Sequence, residues 1–467
     1  MDTRPALQLS PEPAVLSVSF NESGSRLICG LDNGVRMFRA HDCIRTLKES
    51  PSPGHGVAIA AALDDRYLAL VGGGRNPNSS PNKLQFWDNL ESHLLNTLDF
   101  AEPILGVRLT TLYLAVVLKD RTVYLQYVRN GTTGSTQLGT VLSIHDTAAN
   151  PYALCCVRGD KSVLPGVTHG QVQIIQLAEK TKKIVRAHTS ELRQMDLSAD
   201  GQVLATASKQ GTLIRVFSTT TLSQTHEFRR GVDAAIIYSL SISPLSNLIA
   251  CTSDKGTLHV FDLRGPPSSE APTPPPQKRT SISRPHSLAL RPDFDALSVP
   301  SQSSSPRPVS QGGFSGTTGG FHAPPTDLAH SPPSSGPSAF AALAKLPGMP
   351  RAFSDARSMT SASYTLGADP PNWQGQPLYV TTTLPNGQKG KIKNPNVPLP
   401  GVPDGRPVKG VLCWDPEGGE RRIWCAGGGA DARWEVFELV EGEGGRLRLG
   451  KRGYRRYLGR QFPENGT

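Results

Sequence analysis

The sequence predicts an all-β fold: a closed β-propeller of seven blades. Strand-like runs ending in aromatic or aliphatic residues recur at intervals of roughly 40–50 residues, near the ~40–45 of a four-stranded blade. Most are preceded by a second apolar run and a tight turn, as in RLICGLDNG, YLALVGGG, YLAVVLKDR, VLATASKQG and LIACTSDKG. The runs alternate apolar with polar residues and are broken by Gly, Asp, Asn or Ser, which is the pattern of short strands rather than of helices.

In chain order the units are marked by GVRMF (residues 34–38), KLQFWD (83–88), TVYLQYV (122–128), QVQIIQL (171–177), TLIRVF (212–217) and TLHVFDL (257–263). These make six units before Gly265. A seventh is expected from Gly410 to about Leu458, where GVLCWDPEGGERRIWCAGGGADARWEVFELV supplies two strands, a Gly-rich turn and a third. Radial closure at seven lets each blade bury its faces against its neighbours. The expected organisation is therefore residues 14–264 for blades one to six, the sixth incomplete, residues 265–357 as an insertion in blade six, and residues 358–460 for the end of blade six and blade seven.

The inserted segment is dominated by Pro, Ser, Thr and Gly, with scattered Lys278, Arg279, Arg284, Arg291 and Arg307. Its apolar content is too low to bury a core, so disorder is expected, and phosphorylation of its serines would reverse its charge. Near its end Phe340, Leu343 and Leu346 fall at nearly helical spacing. Two readings of them stand side by side. They form a short amphipathic turn for a membrane interface, or they lead into SMTSASYTL (residues 358–366) as the returning outer strand of blade six.

The excess of 49 Lys and Arg over 39 Asp and Glu gives a net charge of +10 and favours an anionic partner: nucleic acid, acidic protein or acidic lipid surface. Seven cysteines without a CxxC pair argue against a zinc module. Their odd number fits a reducing cytosol. The start MDTRPALQLSPEPAV lacks the basic and apolar regions of a secretory signal. No apolar run approaches the ~20 residues that span a bilayer, so any membrane contact is expected to be peripheral.

No GxSxG elbow, GxxxxGK[ST] loop or HExxH helix is present, no cofactor or metal is expected, and an enzyme is the class least supported. Gly72, Gly73 and Gly74 read as a blade turn before they read as a phosphate cradle. The informative stretch is Phe228-Arg229-Arg230-Gly231, at the seam between blades five and six. Neighbouring side chains of a strand point to opposite faces, so the two guanidiniums cannot serve one pocket. They suit two adjacent phosphate sites, or they are solvated or carboxylate-paired arginines. Ser208 and Ser253 sit at equivalent places in their blades, with Lys209 and Lys255 one and two residues later, which supports two similar sites.

FRRG in this setting, the preceding AHTSELRQMDLSADGQVLATASKQGTLIRVF and the following SDKGTLHVFDL resemble the PROPPIN family of WD40-type propellers, as does ALVGGGRNPNSSPNKLQFWD. The resemblance implies binding of phosphatidylinositol 3-phosphate and phosphatidylinositol 3,5-bisphosphate. It assigns Arg229, His188, Thr189, Ser190, Ser208, Lys209 and Thr212 to a site on the blade-five side. It assigns Arg230, Thr252, Ser253, Lys255, Thr257 and His259 to a site on the blade-six side. For His188 a hydrogen-bonded role inside the blade stands equal to ligand contact, and Asp254 is expected to cap its own turn. The resemblance further implies a membrane-inserting loop in blade six and an autophagic lipid-transfer protein as partner, with the loops around Asn21 and residues 76–82 as candidate contacts. The implied protein is a scaffold in autophagosome formation and vacuolar or endosomal traffic, cytoplasmic and peripheral on preautophagosomal, endosomal and vacuolar membranes. The rival expectation is a WD-repeat scaffold that binds proteins without lipid selectivity. A nucleic-acid binder using the Arg-rich tail with Tyr454 and Tyr457 is not expected.

Overall fold

The computed structural model describes residues 13–47, 50–74, 76–129, 136–265, 356–367, 379–383, 389–393, 408–429, 433–442 and 447–456. Seven antiparallel sheets form the ring. Blade one comprises β1 (Val15–Phe20), β2 (Arg26–Leu31) and β3 (Gly34–Arg39), extended by a bridge from Phe38 to Arg45. Blade two comprises β4 (Val57–Ala62), β5 (Tyr67–Gly72), β6 (Lys83–Asp88) and β7 (His93–Asp99). Blade three comprises β8 (Gly106–Leu109), β9 (Tyr113–Val117), β10 (Arg121–Arg129) and β11 (Thr136–Asp146). Blade four comprises β12 (Cys156–Arg158), β13 (Lys161–Pro165), β14 (Gln171–Gln176) and β15 (Thr181–Arg186).

Blade five runs through β16 (Leu192–Leu197), β17 (Val203–Ser208), β18 (Leu213–Ser218) and β19 (Gln224–Arg229). A two-residue strand, β23 (Ala356–Arg357), adds in parallel to the outside of β19. Blade six has β20 (Ile237–Ile242), β21 (Leu248–Ser253) and β22 (Thr257–Asp262), and its outer strand is β24 (Thr360–Ser363). SMTSASYTL therefore does supply the outer strand of blade six. The disorder expected of residues 265–357, and Phe340, Leu343 and Leu346 within them, lie outside the described residues apart from Gly265 and β23. A hairpin of β25 (Tyr379–Thr383) and β26 (Lys389–Lys393) precedes blade seven, which has β27 (Val411–Trp414), β28 (Arg422–Ala426), β29 (Arg433–Glu441) and β30 (Leu447–Arg456).

The burial of each strand follows its place in the blade. Second strands such as β5, β9 and β21 are buried along their whole length because a neighbouring blade covers each face. Outer strands such as β7 and β15 are largely exposed. The apolar core is accordingly a ring of inter-blade layers. Val57 and Leu68 meet Met37 between blades one and two, while Val107 and Val116 meet Phe86 between blades two and three. Phe228, Ile237 and Phe261 fill the layer between blades five and six. Trp424 and Trp434 meet Val18 and Phe38 where blade seven closes on blade one. The bridge from Val15 to Gly429 completes that closure.

The first strands line the ring's centre around a cavity of about 370 Å³ whose walls include Ser17, Ile59, Arg108, Arg158, Asp196 and Ser239. All seven cysteines are free thiols. No described helix is long and apolar enough to cross a membrane.

The Arg-rich stretch after Gly442 needs correction as a tail. Much of it is the outer strand of blade seven, with Arg452 paired to Glu438 at 2.6 Å and Lys451 to Glu435 at 2.6 Å. Tyr454 carries the Arg433 guanidinium over its ring at 4.8 Å. Tyr457 lies outside the described residues.

Candidate functional site

The FRRG stretch ends the outer strand of blade five. Phe228 is buried and packs on Phe261 of blade six, the ring centroids 5.1 Å apart, which turns this side of β19 toward blade six. Arg229, next along the strand, falls on the opposite face. Its backbone is in register with Leu213 on one side and, through β23, with Arg357 on the other. Arg230 returns to the blade-six side. Its amide donates to Thr212 O at 2.9 Å, its Nε to Gly211 O at 2.8 Å and its Nη2 to Asp233 O at 2.6 Å. These acceptors are neutral carbonyls, so the guanidinium is oriented while its charge stays uncompensated by them.

Gly211 explains part of this geometry. It turns the chain between β17 and β18 with φ +63°, and a Cβ there would lie 1.8 Å from Ala235 O. Only glycine allows the turn and the approach together.

On the blade-five side, Thr189 and Lys209 are exposed, while Ser190 and Thr212 are half-buried. Lys209 lies 3.5 Å from Glu191, an exposed pair that a phosphate can compete for. Ser208 is almost wholly buried. His188 is held inside the blade: Nε2 meets Thr206 Oγ1 at 3.0 Å, and that hydroxyl donates to Arg215 O at 3.2 Å. Arg215 in turn reaches Ala187 O at 2.8 Å and Glu227 at 2.7 Å. Burial, then the Arg215 charge, brings the His188 pKa down to about 4. The ring is neutral at physiological pH, and of the two roles open for it the internal one is occupied.

The blade-six side is assembled differently from its sequence reading. Thr257 Oγ1 and His259 Nε2 are 3.0 Å apart, and His259 Nδ1 and Ser358 Oγ 3.2 Å apart. Burial and then the Arg230 charge lower the His259 pKa. Lys255 is exposed, 4.0 Å from Asp254. Thr252 and Ser253 have no exposed surface: Thr252 donates to Gly410 O at 2.6 Å, and Ser253 O accepts from Tyr364 at 2.7 Å. These two hydroxyl residues join blade six to its surroundings and do not reach solvent.

Asp254 departs from its expected role as well. Its Oδ1 accepts from Ile236 N at 3.1 Å, tying the turn to the start of β20, while Ser253 Oγ accepts from Lys255 N at 3.4 Å within the turn. Asn21 is buried and bonded to Ser23, Ser25 and Leu63 O, which commits its side chain to blade one's turn and to the start of the turn after β4 of blade two.

Sequence reasoning missed Ser358 and the Gly211 and Asp233 carbonyls. Ser358 lies between β23 and β24, long after His259 in the chain, and no spacing rule predicts that contact. The FRRG residues do not line the central cavity; Arg229 and Arg230 are half-buried at the seam of blades five and six. Among the described residues no cluster of His, Cys, Asp or Glu could hold a metal ion.

The sequence profile of the PROPPIN family matches residues 14–276. SVP1-like protein 2 of Neurospora crassa is 34% identical over 469 residues, covering 98% of this chain and 99% of that protein. The protein of the same name from Emericella nidulans is 35% identical over 393 residues, covering 84% and 97%. Autophagy-related protein 18e of Arabidopsis thaliana is 37% identical over 259 residues, covering 54% and 66%. The solved structure of Kluyveromyces lactis Hsv2 matches with a TM-score of 0.57 at 14% identity, covering 95% of this chain and 99% of that one. At that identity the likeness is one of fold.

Proposed function

Because the chain belongs to the PROPPIN family, we propose that it is a peripheral phosphoinositide effector that grips two lipid headgroups at the seam of blades five and six. The family binds phosphoinositides, works as a non-enzymatic scaffold and serves autophagy from membrane surfaces. The finer assignment is to phosphatidylinositol 3-phosphate and phosphatidylinositol 3,5-bisphosphate. The membranes are the preautophagosomal, endosomal and vacuolar ones, with an autophagic lipid-transfer protein as partner.

One observation carries this reading. Arg229 ends β19 and Arg230 follows it on the other side, where it is oriented by carbonyls rather than neutralised by a carboxylate. Of its five N–H donors, those two bonds leave three for phosphate oxygens. On the Arg230 side, Thr257, His259, Ser358 and Lys255 are the remaining candidates. On the Arg229 side they are Thr189, Ser190, Lys209 and Thr212, with Ser208 and His188 behind them. Thr252 and Ser253 lie buried behind the second site, serve the packing of blade six and do not touch the headgroup.

Each site alone binds weakly, since exposed ion pairs contribute little. Two sites on one rim engage the same bilayer, and the second contact becomes intramolecular, raising avidity by ~10²–10⁴. Apolar residues of the segment 265–357, with Phe340, Leu343 and Leu346 as candidates, add insertion energy.

The test is co-sedimentation with vesicles carrying phosphatidylinositol 3-phosphate. The double variant Arg229→Ala/Arg230→Ala should lose binding while keeping its circular dichroism and melting behaviour. Undiminished sedimentation would refute the assignment. Binding of wild type to every vesicle regardless of headgroup would favour the protein scaffold without lipid selectivity.

A further inference from the structure

The six residues after the second arginine, Gly231-Val232-Asp233-Ala234-Ala235-Ile236, carry an apolar surface without a partner among the described residues. Val232 is 70% exposed and Ile236 46%, and Ala234 between them is exposed too. Ala235 and Ile237 turn inward and are buried. Exposed side chains of this size in a short loop are usually mobile, but this loop is pinned. Arg230 Nη2 holds Asp233 O, Ala235 N donates to Gln210 O at 3.1 Å, and Ile236 and Asp254 are joined through both their amides. The result is a fixed ridge with Val232, Ala234 and Ile236 turned to solvent.

The ridge's neighbours point to what covers it. Arg229 and Arg230 precede it, and Lys209 and Lys255 stand on the turns it is bonded to. Of the nearby carboxylates, Glu191 is paired with Lys209 and Asp254 with Ile236 N and Lys255, while Asp233 within the ridge is exposed, leaving four cationic side chains against one exposed carboxylate. Apolar side chains ringed by cations match the boundary between anionic headgroups and acyl chains.

We propose that the 231–236 loop is a membrane-contacting ridge that dips Val232 and Ile236 below the headgroups held by the two arginines. This rests on the phosphoinositide reading above and adds a contact separate from the blade-six insertion. Arg230 then has two tasks, taking a phosphate with its remaining donors and fixing the ridge through Asp233 O. Headgroup capture and apolar contact are thereby coupled through one side chain.

The experiment compares two probes: phosphatidylcholine vesicles carrying phosphatidylinositol 3-phosphate, and soluble inositol 1,3-bisphosphate. Val232→Ser/Ile236→Ser removes apolar surface without adding charge. Vesicle partition should fall roughly fivefold to twentyfold while affinity for the soluble headgroup stays unchanged. Val232→Trp, at a site open to solvent, should tighten vesicle binding.

Unchanged partition of the double Ser variant, or no gain from Trp, would overturn the proposal; the ridge would then be a surface for a protein. Equal losses with both probes would also overturn it, since the loop would then only shape the headgroup site. Failure of the parent reading looks different. Wild type would show no headgroup-dependent binding to either probe, or Arg229→Ala/Arg230→Ala would bind both probes as well as wild type does.

Discussion

Arg230 commits Nε and Nη2 to Gly211 O and Asp233 O, while Arg229 lies across the strand from it. Replacing Arg229 with Ala should leave one headgroup site working and partial vesicle binding. Replacing Arg230 removes a phosphate donor and also releases the following loop, so its loss on vesicles should be the larger of the two. Equal and complete loss from either change would argue against semi-independent sites. Thr252 tests the opposite kind of residue. Its hydroxyl satisfies the buried Gly410 carbonyl, so Thr252→Val should cost about 1–3 kcal/mol of stability and leave headgroup affinity unchanged. His188 supplies a pH signature. Its folded pKa of about 4 lies below the ordinary 6.5, so above pH 6.5 neither the folded nor the unfolded chain holds the proton. As pH falls from 6.5 toward 4 the unfolded chain takes it up first, and stability drops by up to about 1.4 kcal/mol per pH unit before levelling off. Denaturant titrations should show that slope reduced in His188→Gln, and an unchanged slope would place the effect elsewhere.

At the level of elements, the turn between β17 and β18 sets the site. Gly211 supplies both the carbonyl that orients Arg230 and the close approach to Ala235. Gly211→Ala must push the 231–236 loop away, and it should lower vesicle binding with only local loss of stability. Full binding by that variant would show that the turn does not position the arginine. The strands themselves were legible as runs, because alternation and Gly-containing turns are local properties of blades such as five and six. The Arg-rich segment after Gly442 was not: β30 is short of apolar residues, and its antiparallel ladder along β29, with Lys451 and Arg452 paired to Glu435 and Glu438, makes a strand of it. Ser208 and Ser253 looked alike because both end second strands, and that same position buries them.

The blades close into a ring where blade seven packs on blade one. Trp424 is buried there and stacks on Phe20 with centroids 6.3 Å apart. Trp424→Ala should cost about 3–5 kcal/mol, seen as a lower denaturant midpoint. Near-wild-type stability would show that the seam between blades seven and one adds little to closure. On the proposed function, ring closure would also serve binding, since a rigid rim would keep the two arginine sites in fixed relation and permit the avidity of simultaneous contact.

The sequence by itself determined the propeller, its seven units, the long interval within blade six and the FRRG seam, because each is written in residue periodicity or in adjacent residues. Tertiary structure alone decided which hydroxyls reach solvent, which carbonyls aim Arg230, and that Ser358 joins His259. Those facts depend on which blade faces which and on the register of a strand returning from far along the chain. Such contacts follow from packing between elements distant in sequence, which local pattern does not encode.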